Sequence, residues 1–192
     1  MSLKLRKLKY KLHSCQNRHR HASHLLGLYP GNAITDKTPE LIEACKVSLL
    51  DRGFGQKSGA NGSGWGKANK VNLWARAKDG NRAYSMLREL INKNIAPNLW
   101  DFHPPYQMDG NCGYTSGVCE MLCYSSDDII ELLPALPEEW KNGSVKGLCA
   151  RGGYSLDFTW ENGEIKSLSV YSSCGKKTAR IKTGDEIKTV KT

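Results

Sequence analysis

In YSLDFTWENGEIKSLSV, residues 154–170, the apolar Tyr154, Leu156, Phe158 and Trp160 alternate with Ser155, Asp157, Thr159 and Glu161. A period of two puts the four apolar side chains on one face of a strand. Asn162-Gly163 then offers two residues that tolerate positive φ, and Leu168 and Val170 resume the alternation, so the stretch predicts a β-hairpin. Downstream, Ala179 and Ile181, Gly184-Asp185 and Ile187 predict a second one.

Upstream of Pro137 the period is helical. Thr38-Pro39-Glu40 sets a capping hydroxyl, a first-turn proline and an early acid before Leu41, Cys45 and Leu49, and Gly53 is the stop. Between Trp65 and Lys78, the residues Ala68, Val71, Trp74 and Ala75 share a face; after Asp79-Gly80, Ala83, Leu87, Leu90 and Ile91 repeat the period up to Pro97. So short a link predicts antiparallel neighbours. A fourth helix is expected from about Tyr114 to Tyr124, preceded by an irregular stretch from Asn98 to Gly113. Helices followed by strands, with no alternation between them, predict a helical part and a separate small antiparallel β-domain. The boundaries expected are a basic segment at 1–16, a helical part at 17–137 and a β-domain at 138–192.

The formal charge of +9 is uneven. Residues 1–20 carry seven Lys or Arg and no acid, and residues 166–192 carry seven against Asp185 and Glu186; between them 14 basic face 17 acidic residues, a net of −3. Such basic ends read as solvated or disordered segments, so neither nucleic acid nor membrane is expected as a partner. Residues 1–11 lack an apolar core behind their basic residues, and no run of 18 apolar residues occurs, which predicts a cytoplasmic chain without an export signal. Seven cysteines without a CxxC pair read as reduced, buried thiols, with Cys112, Cys119 and Cys123 on one helix face.

Two clusters could carry chemistry. His19, His21 and His24 have a spacing open to metal, but without a fourth ligand at defined distance they read as hydrogen-bonded histidines, and no metal is expected. The stretch FHPPYQMDGN, residues 102–111, holds His103, an amide and Asp109 among aromatics, the mixture that grips a sugar by ring stacking and hydroxyl hydrogen bonds. Asp-Gly is also a common turn pair.

Five runs carry a likeness to a known family: HRHASHLLGLYPG (19–31), GWGKANKVNLWARAKDG (64–80), NLWDFHPPYQMDGNCGYTSGVCEML (98–122), LLPALPEEW (132–140) and GLCARGGYSLDFTW (147–160). Together they resemble the last portion of glycoside hydrolase family 95, which contains α-L-fucosidases with α-L-galactosidases as relatives. The resemblance implies the closing helices of an incomplete (α/α)6 barrel followed by a C-terminal β-domain. It also implies inverting hydrolysis of α-fucosylated or α-L-galactosylated glycans, with no cofactor and with carbohydrate as the partner. Asp109 matches the catalytic aspartate that assists the attacking water, and Arg20 and His21 match residues that hold the sugar. Trp65 and His103 complete the expected substrate-binding set. The family's general-acid glutamate and water-positioning asparagines match nothing in this chain, and Asn69 stands where a tryptophan is expected. Because residues 1–16 do not look like what precedes the HRH motif, a truncated or frame-disrupted gene is expected, its product inactive alone. The alternative is a non-catalytic carbohydrate-binding or inert remnant. A partial barrel exposes apolar helix faces, which predicts self-association.

Overall fold

In the computed structural model, which describes residues 21–53, 64–102, 106–126 and 129–192, helices precede strands as the periodicities predict. Helix α1, Pro39–Asp51, starts on its proline and buries Ile42, Cys45 and Leu49. Thr38 sits at the N-cap without capping: its hydroxyl donates to the Thr35 carbonyl and accepts from the Thr35 N–H instead. Gly53, at φ 65°, ends the helix in the left-handed conformation that glycine adopts most readily.

Helix α2, Trp65–Arg76, lies at the centre of the helical part. Nine consecutive or near-consecutive residues from Gly66 to Ala75 are buried, including Lys67, Lys70 and Asn72, so every side of it meets protein. Helix α3, Gly80–Asn94, runs back antiparallel, its first turn capped by Asp79, which accepts from the Arg82 N–H at 3.0 Å. Its amphipathic face buries Ala83, Met86, Leu87 and Leu90.

Helix α4, Met108–Leu122, begins six residues before the predicted start at Tyr114. Gly110 and Gly113 each lower intrinsic helix propensity by about 1 kcal/mol relative to alanine, which is why the local pattern reads as irregular. Packing reverses that preference. Gly110, Gly113 and Gly117 are buried, and Cβ atoms at 113 and 117 would strike Ala68 and Val71 on α2. Without those Cβ atoms the two helices run side by side, parallel and close.

The same stripe corrects the reading of the cysteines. Glycines, Met121 and Leu122 take the inward face of α4, so Cys112 and Cys119 are exposed and Cys123 is half-buried. Cys149 and Cys174 are exposed too, and of the six described cysteines only Cys45 is buried. Burial still pushes the Cys123 thiol up to about 12.

The chain then enters two sheets. Strands β3 (Gly143–Ala150), β4 (Tyr154–Glu161) and β5 (Glu164–Ser172) form one antiparallel sheet in that order. The expected hairpin is present, with Asn162 at φ 51° and Gly163 at φ 79°, the two left-handed residues of a type I′ turn. The other sheet has the order β1-β2-β6-β7, from Cys123–Ser125, Ile130–Leu132, Thr178–Thr183 and Glu186–Lys191. Here β6 and β7 are the second expected hairpin, with Gly184 at φ 56°. The short strands β1 and β2 carry no alternation long enough to predict, and β2 pairs with β6 in parallel, Ile130 opposite Ile181. The C-terminal basic segment is therefore no solvated tail: it supplies these strands.

Leu156, Phe158, Trp160 and Val170 of the first sheet pack with Ile130, Leu132, Ala179 and Ile181 of the second in one core. Trp140 joins this core to the helical one. It meets Tyr84 of α3 edge-on at 5.7 Å, and its carbonyl accepts the Trp160 indole N–H at 2.7 Å. An ion network closes the same seam: Lys78 after α2 and Lys182 on β6 both contact Asp36 and the buried Glu131 of β2. No described helix is long and apolar enough to cross a membrane.

Candidate active site

Because α2 and α4 are parallel neighbours, their N-termini lie together, and two expected site residues start these helices. Trp65 is the first residue of α2; Asp109 is the second of α4, exposed to solvent. Asp109 is thus a helix residue and not part of a turn, with its carboxylate at the end where the helix dipole favours negative charge. The Trp65 ring lies against Gly113, one turn further along α4.

The loop between α3 and α4 is tied to both helix starts. The Trp65 N–H donates to Gln107 Oε1 at 3.2 Å, and the Gln107 N–H donates to the Asp101 carbonyl at 3.1 Å. The amide of Asn111 reaches back to the same loop, accepting from the Asp101 N–H at 2.8 Å and donating to the Leu99 carbonyl at 2.7 Å. Asp101 itself is fully buried, its carboxylate lodged between Gly64 and Gly110. One turn deeper, Asn72 of α2 donates to the Gly113 carbonyl at 2.8 Å and accepts from Ser116 at 2.9 Å, which in turn meets the Tyr29 hydroxyl. The two helix starts are locked by side-chain amides, so Asp109 is held on a rigid element.

A basic cluster flanks this end. Lys70, 1 % exposed, donates to the Gly53 carbonyl at 3.0 Å; burial, with Arg52 and Lys67 nearby, brings its pKa down to about 8. Lys67 donates to Asn94 at 2.8 Å and pairs with Glu89 at 3.4 Å. His21 is half-buried and offers its carbonyl to Arg52 at 2.8 Å. His24 meets Ser48 at 2.7 Å, and burial, then Arg52, lowers its pKa. The structure brings Asp109 and Trp65 to one end, with His21 tied to the end of α1. Arg20, His103 and His19 lie outside the described residues.

Asp101 and Lys70 escape the sequence reading, and the amides Gln107 and Asn111, which it counted as sugar-binding groups, hold backbone instead. The only local signal is that Lys67 and Lys70 interrupt the apolar face of a helix, which a solvated helix would not require.

The model of the glycosyl hydrolase family 95 catalytic domain matches residues 4–122, thus taking in most of the basic segment, and that of the family's C-terminal domain matches residues 124–192. The chain is similar to alpha-L-fucosidase 2 of Arabidopsis thaliana, 38% identical over 167 residues that make up 80% of this chain and 19% of the relative. It is also similar to probable alpha-fucosidase A of Aspergillus oryzae, at 35% over 76% of this chain and 23% of the relative. The Aspergillus niger protein described in the same words is 33% identical over 85% and 23%. The chain therefore spans about a fifth of the length of these curated relatives.

Proposed function

The chain belongs to glycoside hydrolase family 95, and from that membership we propose that it carries the water-assisting carboxylate and part of the sugar pocket of an inverting α-L-fucosidase-type hydrolase. The observation that supports this is Asp109 itself, exposed on the first turn of α4 beside the α2 start that bears Trp65. A carboxylate so held can accept a proton from water attacking an anomeric carbon, while Trp65 supplies an apolar wall for the pyranose. Arg20, His21 and His103 are the further substrate contacts of this reading.

Inversion needs a second carboxyl group roughly 6.5–9.5 Å away to protonate the leaving oxygen. The two carboxylates nearest Asp109 along the described chain do not serve. Asp101 is fully buried behind Gly110. Glu120 is paired with Arg76 and lies eleven residues along the same helix, about 16 Å at 1.5 Å per residue. The resemblance implies a general-acid glutamate that matches no position of this chain, so the chain by itself is expected to bind the sugar without cutting it. Apolar Leu26, Leu50 and Ile91 stand exposed on the helical part and support self-association; a light-scattering mass of one chain at micromolar concentration would sink that part.

The test is release of free fucose from an α-1,2-fucosylated oligosaccharide, with Asp109→Asn alongside. No release, together with fucose binding that the wild type shows by saturation-transfer NMR, is the expected result. Release that survives Asp109→Asn would overturn the role of Asp109; no fucose binding would leave an inert remnant.

A further inference from the structure

Of the two lysines buried on α2, Lys67 has a carboxylate partner in Glu89 at 3.4 Å. Lys70 meets no carboxylate among the described residues. Its ammonium donates to the Gly53 carbonyl at 3.0 Å, with the like charges of Arg52 and Lys67 nearby. A cation placed in this way costs stability, and a methionine would fill much the same space without that cost.

The acceptor supplies a reason for the lysine. Gly53 follows Arg52 at the end of α1, and the Arg52 guanidinium reaches the segment that precedes α1. Its Nη1 donates to the His21 carbonyl at 2.8 Å, and its Nη2 approaches His24 Nδ1 at 3.5 Å. Ser48, one turn earlier on α1, meets the other nitrogen of the same ring at 2.7 Å. One line of polar contacts therefore runs from α2, the helix that starts at Trp65, through the end of α1 to the backbone of His21.

We propose that Lys70 and Arg52 are positioning residues for the sugar pocket: Lys70 fixes where α1 ends, and Arg52 holds the His21 segment in register with the helix ends that bear Trp65 and Asp109. This rests on the reading of those residues as a sugar site. Neither cation needs to touch the sugar, because a binding group displaced by about 1 Å already loses much of its effect. Stability is given up at Lys70 for geometry at His21.

Saturation-transfer NMR with L-fucose and urea unfolding, both at pH 7, separate positioning from general support of the fold. Lys70→Met is expected to unfold at a higher urea concentration than the wild type and yet to bind fucose about tenfold more weakly. Arg52→Gln should weaken binding likewise, and Arg52→Lys, which keeps one donor for the His21 carbonyl, should recover it to within about threefold. Without sugar, the His21 ring signal in a proton–carbon correlation spectrum, identified by its absence in His21→Gln, should shift in Lys70→Met and Arg52→Gln. It should stay in place in Lys166→Met, which removes an exposed lysine of β5. Wild-type fucose binding by Lys70→Met, an unmoved His21 signal, or weaker binding by Lys70→Met accompanied by lower stability overturns the proposal. If circular dichroism shows Lys70→Met unfolded, the His21 signal and the recovery by lysine in the Arg52 pair decide. A wild type that binds no fucose sinks the proposed function, and the His21 signal then decides the positioning roles alone.

Discussion

The carboxylate of Asp101 fills the space beside Gly110 in which any other residue would place its Cβ. A fully buried acid and a helix turn nine residues on thus specify each other. Gly110→Ala is expected to lose about 2–3 kcal/mol in urea unfolding, because a methyl group meets a side chain that cannot withdraw to solvent. Gly27→Ala, whose Cβ would make an ordinary 3.5 Å contact with Ile34, should stay within about 0.5 kcal/mol of wild type. Combining Gly110→Ala with Asp101→Ala should cost less than the sum of the two, since the partner in the collision is gone. Strict additivity would show that the two side chains do not meet.

Lys70 lowers the stability of the folded chain at neutral pH. Its pKa is about 8 when folded against the ordinary 10.5, so between those values the unfolded chain binds the extra proton, and stability rises with pH across that window. Below about pH 8 the full cost is present. Lys70→Met is expected to gain about 1–3 kcal/mol at pH 7, shrinking toward pH 10. Equal unfolding midpoints for the two chains at pH 7 would show that the ammonium is not held desolvated.

Lys182 and Asp36 join the β-part to the segment before α1 at 2.8 Å, and both lean on Glu131 or Lys78. Burial opposes the Lys182 charge, but Asp36 and Glu131 overcome it and raise its pKa above 10.5. Burial likewise opposes Asp36, yet hydrogen bonds from Lys182 and Lys78 hold its pKa below 3.8. The Lys182 contribution is complete below 10.5 and fades as pH rises through its folded value; that of Asp36 is complete above 3.8 and fades as pH falls through its own. Lys182→Met should therefore destabilise most across the plateau between those limits and converge on wild type at both extremes. A pH-independent difference would remove the network as its source.

Phe158 is 1 % exposed at the interface of the two sheets, whereas its neighbour Thr159 faces solvent. Phe158→Ala is expected to cost about 3–5 kcal/mol by thermal or urea unfolding, and Thr159→Ala less than about 1. Similar losses at the two positions would mean that the strand is shifted by one residue.

The sheet hairpins were legible because their determinants are local. Asn162-Gly163 and Gly184-Asp185 set the turns, and alternation from Tyr154 to Trp160 sets the buried face. Strands β1 and β2 were not legible: three residues each hold no period, and Ile130 finds its parallel partner Ile181 only after the three strands β3, β4 and β5 intervene. The start of α4 was hidden for a related reason, since glycine disfavours a helix locally while permitting the contact with α2 that stabilises this one. Of the candidate site, Asp109 and Trp65 stood out by residue type and motif, but nothing in their neighbourhood tells that Gln107 and Asn111 pin them.

The order of helices then strands and the faces of β4 to β6 were readable from spacing along the chain, and the family from the resemblance of five motifs; the face of β7 was not, since Ile187 is exposed and lies opposite Lys182. Packing between remote segments is what buries Lys70 while leaving Cys112, Cys119, Cys149 and Cys174 exposed, starts a helix at Met108 with Asp109 in its first turn, and sets Asp101 under Gly110. Burial and close approach depend on which remote element arrives at a given face, and no local period encodes that.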